Sequence, residues 1–192
     1  MTDPFDKKIG LTPPRGSVDI VTVSHDHFDH NNVKAVGGEP FIIDGPGEYE
    51  VKGMRITGIA SYHDKKKGEE RGLNTIYLIK VDGIRTCHLG DLGQEKLTDS
   101  QLEAIGDIDV LMIPVDGVYT LSAREAVKIV KQIEPGIVIP MHYKLPGLTE
   151  KLADVKDFLK EAGLNGEKPV DKLTLKKKDL NNKEMEVVIF KY

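Results

Sequence analysis

At 192 residues and a net charge of −4, the chain is long enough to bury a core and carries no basic excess of the kind that tracks a nucleic-acid backbone. Charged residues make up 30% and hydrophobic ones 39%, and no apolar run approaches a membrane span, so neither nucleic acid nor membrane is an expected partner. The first ten residues are polar and charged rather than a secretory leader, and a single cysteine, Cys87, excludes an internal disulfide; both predict a cytoplasmic protein.

Met1 to Ser17 lacks periodicity, and Asp3-Pro4-Phe5 with Pro13-Pro14 marks it as loop. The chain then turns apolar and β-branched (Val18, Ile20, Val21, Val23), which predicts a buried strand. That run stops at Ser24 and gives way to His25, Asp26, His27, Phe28, Asp29 and His30, so three imidazoles and two carboxylates fall on one strand-end loop. Residues two apart in an extended loop face the same way, so His25 and His27 can grip one ion, with Asp29 and His30 offset toward a second. Imidazole and carboxylate are ligands for Zn, Mn or Fe rather than for a thiolate-type site.

Asn31 or Asn32 is placed to cap a short helix through Val36, ended by Gly37-Gly38. Pro40 to Asp44 reads as a short strand, Gly45-Pro46-Gly47 as a turn, and Glu48 to His63 as a hairpin about Lys52-Gly53 whose second strand delivers His63 to a loop. Asp64 to Leu73 is the most hydrophilic tract, a solvated loop by composition. Attached to a candidate ligand, it can also lie over the mouth of a site, where Lys65, Arg71 and Asn74 would meet an anionic substrate.

Asn74 to Lys80 and Ile84 to His88 flank Asp82-Gly83, a two-residue hairpin signal. Glycines on either side of Asp91 let the backbone turn sharply and aim its carboxylate inward. Thr98 or Asp99 caps a helix to about Ile105, Ile108 to Pro114 is a buried strand, and Ser122 with Glu125 forms a capping box for a helix with Ala126, Val127, Ile129, Val130 and Ile133 on one face. Gly136 to Pro140 is a further buried strand, leading into Met141-His142-Tyr143. A helix from about Thr149 to Ala162 closes at Gly163, and Val170 to Lys177 with Glu184 to Tyr192 reads as a final hairpin over Asn181-Asn182. With no repeat and no linker, residues 1–192 are expected to form one domain of two sheets packed face to face with helices outside.

His25, His63, Asp91 and His142 each sit where an apolar strand yields to a loop, a placement in which rigid elements hold loop-borne ligands. His88 lies inside its strand and faces opposite to Asp91, so it is read as packed, and Cys87 beside it as core.

The run His25-x-His27-x-Asp29-His30 resembles the signature of the metallo-β-lactamase superfamily, and the rest of the chain is similar to a branch of small metal-dependent hydrolases that includes ascorbate-6-phosphate lactonase-like proteins. The resemblance implies an α/β fold (α+β by some schemes), a four-layer αββα sandwich. In similar proteins the Asp-Pro-Phe stretch follows a β-hairpin; here the chain begins almost at Asp3, so either its start is shortened or the first sheet lacks its outermost strands. An open edge of that kind needs a cover, and a second copy of the chain is one.

The same resemblance implies two divalent ions, Zn first, then Mn or Fe: one held by His25, His27 and His63, the other by Asp29, His30 and His142, with Asp91 between. Two ions roughly 3.5–4 Å apart lower the pKa of a shared water and polarise a scissile carbonyl or phosphoryl oxygen. Asp29 is then placed to orient the nucleophile and carry a proton; Tyr143 either donates to a developing oxyanion or simply packs. Asp3 and Asp26 are candidates to fix imidazole tautomers. Two departures from the pattern, Gln94 and Asp116, bear on the substrate pocket, since an added carboxylate at its rim would repel an anion. The expected activity is hydrolysis of a small ester, lactone or phosphoester. Its rival is a catalytically weak or inactive metal-binding member serving as a ligand-binding protein; a flavin-coupled iron protein would need a second domain, and a nuclease fits the acidic balance poorly.

Overall fold

The computed structural model describes residues 1–180 and 185–191, and its strands divide between two sheets. The small sheet pairs β1 (Ile20–Thr22) with β2 (Phe41–Ile43) in parallel. The large sheet runs in chain order through β3 (Gly47–Val51), β4 (Met54–Tyr62), β5 (Leu73–Val81), β6 (Ile84–His88), β7 (Val110–Pro114), β8 (Ile137–Met141) and β9 (Glu186–Val187). Its first four strands are antiparallel, with two-residue turns between β3 and β4 and between β5 and β6 and the longer 63–72 tract between β4 and β5, whereas β6 to β9 are parallel and need crossovers. Helices α1 (Asp99–Ile105), α2 (Ala123–Ile133) and α3 (Val155–Glu161) lie in those three connections.

Local chemistry accounts for these elements. Lys52-Gly53 and Asp82-Gly83 have φ values of 50° and 78°, and of 50° and 77°, the left-handed pair that matches the twist of a two-residue hairpin. Thr98 with Gln101 and Ser122 with Glu125 form complete capping boxes at the starts of α1 and α2. Strand alternation then sorts the side chains. Ile76, Cys87, Leu111, Ile113 and Val138 face a core shared with Ile105 of α1, Ala126 and Ile129 of α2 and Phe158 of α3. On the opposite face, Ile56 and Tyr77 pack against Ile20 and Ile43 of the small sheet. The two sheets are also hydrogen-bonded side chain to backbone, because the buried Tyr77 hydroxyl lies 2.8 Å from Val23 O and 3.1 Å from Ile43 O. Sheet on sheet, with helices on the outer face of the large one, gives three layers of the expected αββα sandwich; among the described residues no α-helix covers the small sheet.

Several boundaries differ from expectation. After the histidine-rich loop there is only a 3-10 turn, Val33–Ala35, because the Asn32 side chain caps nothing and instead donates to Phe5 O. The helix expected from Thr149 starts at Val155, capped by Asp154. Thr149 is spent elsewhere, its N–H donating to Ile9 O at 2.9 Å. The turn over Asn181-Asn182 lies outside the described residues. The segments flanking it do not pair as a hairpin: Glu186–Val187 adds to β8 in parallel, and Val170 makes a parallel bridge to Phe190. Leu173, Leu175 and Leu180 explain the choice, since they cover the apolar face around Val110 and Ile137 instead of pairing as a strand. At the other end, Thr2 makes a one-residue parallel bridge to Thr22 along the free side of β1, and the Met1 ammonium donates to Ile20 O.

Candidate metal centre

The histidine-rich loop is anchored before it begins. Ser24 O accepts from Thr75 N of β5 at 2.8 Å, and Ser24 N donates to the Asp3 carboxylate at 2.7 Å. His63 follows β4 directly, Asp91 follows β6 by three residues, and His142 follows β8 directly. The ends of four strands therefore converge on one place.

Asp91 is its centre. Its Oδ2 lies 3.4 Å from His63 Nε2, 3.5 Å from His142 Nε2 and 3.9 Å from His25 Nε2, while its Oδ1 lies 3.4 Å from His30 Nε2. Donor atoms of His25, His27 and His63 lie within 4.8 Å of one another, and so do those of Asp29, His30 and His142. All seven ligands expected from the sequence are thus brought together, in the two expected groups, with Asp91 touching both. Asp3 forms a third such group with His25 and His30, but its oxygens are already engaged.

Three of the five ligand imidazoles are held on the far side by an acceptor, whereas His63 Nδ1 is buried with no hydrogen-bond partner among the described residues. His30 Nδ1 donates to Asp3 Oδ2 at 3.0 Å and His142 Nδ1 to Asp116 Oδ2 at 3.0 Å. The Ser24 hydroxyl gives its proton to Asp3 Oδ2 at 2.6 Å, so its 2.9 Å contact with His25 Nδ1 requires that nitrogen to be the donor. Each of these rings therefore turns Nε2 inward, the arrangement that orients imidazoles toward a cation. His25 Nε2 and Asp91 Oδ1 are buried with no hydrogen-bond partner among the described residues. Buried polar atoms ordinarily find partners. A divalent ion in each group would supply them, so the residues fit a pair of cations.

Electrostatics agrees. Burial, then the charges of His30 and His63, pushes His25 down to about 2, leaving it neutral and free to ligate. Burial would also lower His30, but Asp91 and Asp3 outweigh it and raise it to about 9. His142 is raised for the same reason, by Asp91 and Asp116 against burial. Asp3 is held at about 2: burial raises it, and His30, His88 and Ser24 more than reverse that. At His30 and His142 the neighbouring carboxylates favour the protonated imidazole, so a cation bound there would compete with those protons.

Backbone geometry is specialised here as well. Asp3 and His142 have φ of 45° and 53°, left-handed values that non-glycine residues seldom adopt and that cluster at functional sites. Gly90 has φ of 55°, and a Cβ there would come within 2.4 Å of Asn74 Oδ1; at Gly93 it would meet His63 O at 2.3 Å. Glycine is required at both positions for Asp91 to reach its neighbours.

Other expected site residues fall less uniformly. Asp29 and Tyr143 line a cavity of about 770 Å³ that opens onto the centre, and Tyr143 also packs against the main core. Arg71 lies at the same cavity, its guanidinium 5.8 Å from the Tyr119 ring centroid. Asn74 does not line the cavity: it is buried, donates to Ser61 Oγ and Leu89 O, and accepts from Asp91 N at 2.9 Å. It belongs to β5, whose inward positions build the loop that carries Asp91 rather than the cavity wall. Lys65 is paired with Glu125 and Glu95 away from the cavity. Asp26 is exposed and accepts from Asn31 Nδ2, so it fixes no imidazole.

Gln94 is buried among Tyr62 N, Lys96 O and Gln101 and does not line the cavity. Asp116 is not a rim charge either. It is fully buried, accepts from Val118 N, Tyr119 N, Thr120 Oγ1 and His142 Nδ1, and is held at about 2 because those donors overcome the opposing effect of burial. His88 is packed, its Nδ1 accepting from Gly90 N, and Cys87 is core with its thiol driven up by burial. The residues that sequence reasoning missed are the imidazole supports Ser24 and Asp116. A serine immediately before the first histidine and a carboxylate just after β7 were the available signals.

A family model described as beta-lactamase superfamily domain matches residues 1–142. A metal-dependent hydrolase of Pyrococcus furiosus is 30% identical over 172 residues, covering 77% of this chain and 75% of that protein. A second protein of that organism is 32% identical over 164 residues, covering 76% and 74%. Among solved structures, a Thermotoga maritima protein assigned as a Zn-dependent hydrolase of the metallo-β-lactamase superfamily superposes with a TM-score of 0.78 at 36% identity, covering 99% of this chain and 89% of that one. Among the described residues, no helix is long and apolar enough to cross a membrane.

Proposed function

The chain belongs to the metallo-β-lactamase superfamily of metal-dependent hydrolases, and we propose that it is a binuclear, zinc-preferring member acting on a small ester, lactone or phosphoester. The observation that carries the reading is the Asp91 carboxylate, approached by four imidazole Nε2 atoms at 3.4–3.9 Å while its Oδ1 has no hydrogen-bond partner among the described residues. His25, His27 and His63 would hold one cation and Asp29, His30 and His142 the other.

When bound, such a pair of cations supplies a water that ionises near neutral pH and polarises the oxygen of the scissile group. The protein supplies the rest. Asp3, Ser24 and Asp116 fix the His30, His25 and His142 rings, so no reorientation is needed on binding. Asp29, at the cavity edge with its Oδ2 3.6 Å from His30 Nε2, takes a proton from the attacking water and passes it to the leaving oxygen. Tyr143 lies on the cavity wall, where its hydroxyl can donate to the oxyanion. The apolar lining excludes bulk water from this chemistry.

The test is elemental analysis of purified protein together with an ester, lactone and phosphodiester panel. Asp91→Ala should lower metal content by about half or more and abolish turnover, because it removes the one ligand both groups share. Native metal content and native rates in that variant would refute the proposal.

A further inference from the structure

We propose that the site selects an uncharged carboxylic ester or lactone with an apolar acyl or aryl body, and disfavours substrates whose body carries a further phosphate. The inference rests on the hydrolase reading and deepens it. Its basis is the outer cavity, the part beyond the metal-ligating residues.

Two loops build that region. Phe5, Ile9 and Leu11 come from the segment after Asp3, and Leu145, Leu148 and Leu152 from the segment after His142. The loops are clasped together: Thr149 N donates to Ile9 O at 2.9 Å, and a Cβ at Gly10 would fall 1.9 Å from Gly147 O. The apolar wall is therefore a packed unit. Phe28, inside the histidine-rich loop, stands 53% exposed at the same cavity, an apolar surface in the middle of an otherwise polar ligand run. At about 770 Å³ the space exceeds what a two-carbon acyl group fills and lies in the usual range for sites that enclose most of a small ligand.

Charge points the same way. The lining carries the carboxylates of Asp3, Asp29, Asp91 and Glu150 against one guanidinium, Arg71. Asp3, Asp29 and Asp91 are committed to the metal centre, which leaves Glu150 and Arg71, itself 3.8 Å from the Glu70 carboxylate, as the charged groups of the outer cavity. Tyr119 joins them: its ring lies under Arg71 and its hydroxyl donates to Glu150 at 3.2 Å. The cations of the centre would meet a scissile phosphate, but a further phosphate on the substrate's body, as in a sugar phosphate ester, would lose hydration in the outer cavity with Arg71 as the one cationic side chain of its lining. An acyl chain gains burial with each carbon. In the reaction, water's oxygen joins the acyl carbon as the acyl carbon–oxygen bond breaks. One water proton goes to the alcohol oxygen, and the other leaves with ionisation of the acid.

The metal-loaded protein is assayed on p-nitrophenyl acetate, butyrate and octanoate and on bis(p-nitrophenyl) phosphate. The expected kcat/KM rises roughly two- to fourfold per methylene, hence about 60-fold from acetate to octanoate at the lower figure, with octanoate ahead of the phosphodiester. A flat ester series, or preference for the phosphodiester, overturns the inference and leaves the hydrolase reading standing. No turnover on any of them by fully metal-loaded protein refutes the hydrolase reading instead.

A turnover-independent arm then decides the cavity. In calorimetric titration of the metal-free chain, octanamide should bind at least about 50-fold more tightly than acetamide, with a negative heat-capacity change; equal affinities overturn the proposal. Leu148→Trp, which fills the wall, should lower the octanoate-to-acetate ratio about tenfold at native metal content. If that variant misfolds, Leu11→Gln gives the same reading, and an unchanged ratio in a folded variant counts against the proposal.

Discussion

Replacing Asn74 by Ala separates a residue that builds the centre from one that meets substrate. The native side chain makes three buried hydrogen bonds: to Ser61 Oγ at 2.7 Å, to Leu89 O at 2.9 Å and from Asp91 N at 2.9 Å. At about 1 kcal/mol net for each, their loss costs about 3 kcal/mol. The Ser61 hydroxyl can turn elsewhere, but Leu89 O and Asp91 N have no such freedom. A water entering the space left behind keeps the figure near that value rather than at the full penalty for orphaned groups. For a chain of this length, about 3 kcal/mol lowers the unfolding midpoint by roughly 6–12 °C. Because Asp91 N is one of the freed groups, metal should also be held more weakly. Thermal unfolding of the metal-free protein by circular dichroism, with a chelator-competition titration alongside, reads both effects. A variant with native midpoint and native metal affinity but a raised KM would refute this account and return Asn74 to the substrate.

Asp3→Ala removes the acceptor shared by His30 Nδ1 and Ser24, so metal affinity should fall about 10–100-fold in a competition titration, with the fold retained. Asp64 accepts from four backbone N–H groups (Lys66, Gly68, Glu70 and Arg71), and its pKa lies below the ordinary carboxylate value because those donors outweigh the opposing effect of burial. Its contribution is present above the unfolded-state pKa and is lost as pH falls through the folded value. Limited proteolysis should therefore cut the 64–72 tract in native protein only under acid conditions, and in Asp64→Ala already at neutral pH. Cys87, fully buried with its thiol pushed well above the ordinary range, should not react with a disulfide reagent in the native state and should give one equivalent on denaturation.

Much of this molecule was legible because its signals are local. Two-residue turns at Lys52-Gly53 and Asp82-Gly83 and the capping box at Ser122 depend on neighbours within a few residues and appear where the sequence places them, and the cap left open between Thr98 and Asp99 falls to Thr98. The seven ligand candidates were legible for a related reason. A polar ligand at the end of a buried strand has few other uses, and strand order then brings the ends together. Elements at the two termini were less legible, because tertiary contacts reassign their residues. Thr149 is a plausible helix cap by type, yet its hydroxyl donates to Lys8 O and its N–H to Ile9 O, and Asp154 caps the helix instead. Val170 to Lys177 alternates like a strand, but its leucines cover the face around Val110.

Asn74 and Asp116 show where residue type alone stops. Both were read as groups facing a substrate, one as an attractor and one as a repeller, because a polar residue near a ligand in sequence suggests the pocket. Each instead points into the protein. Asn74 ties the Asp91 loop to β5 and β4, and Asp116 ties His142 to the 118–120 loop. The physical reason is common to both. A cluster of imidazoles and carboxylates at van der Waals spacing must be held against its own repulsion, and the groups that hold it need to be polar, buried and close in sequence to the ligands. In this chain that demand absorbs the polar residues next to the centre and leaves the cavity beyond it to Phe5, Ile9, Leu145 and Leu148. The support of the candidate metal centre and the apolar character of the cavity beyond it are thus two results of one allocation.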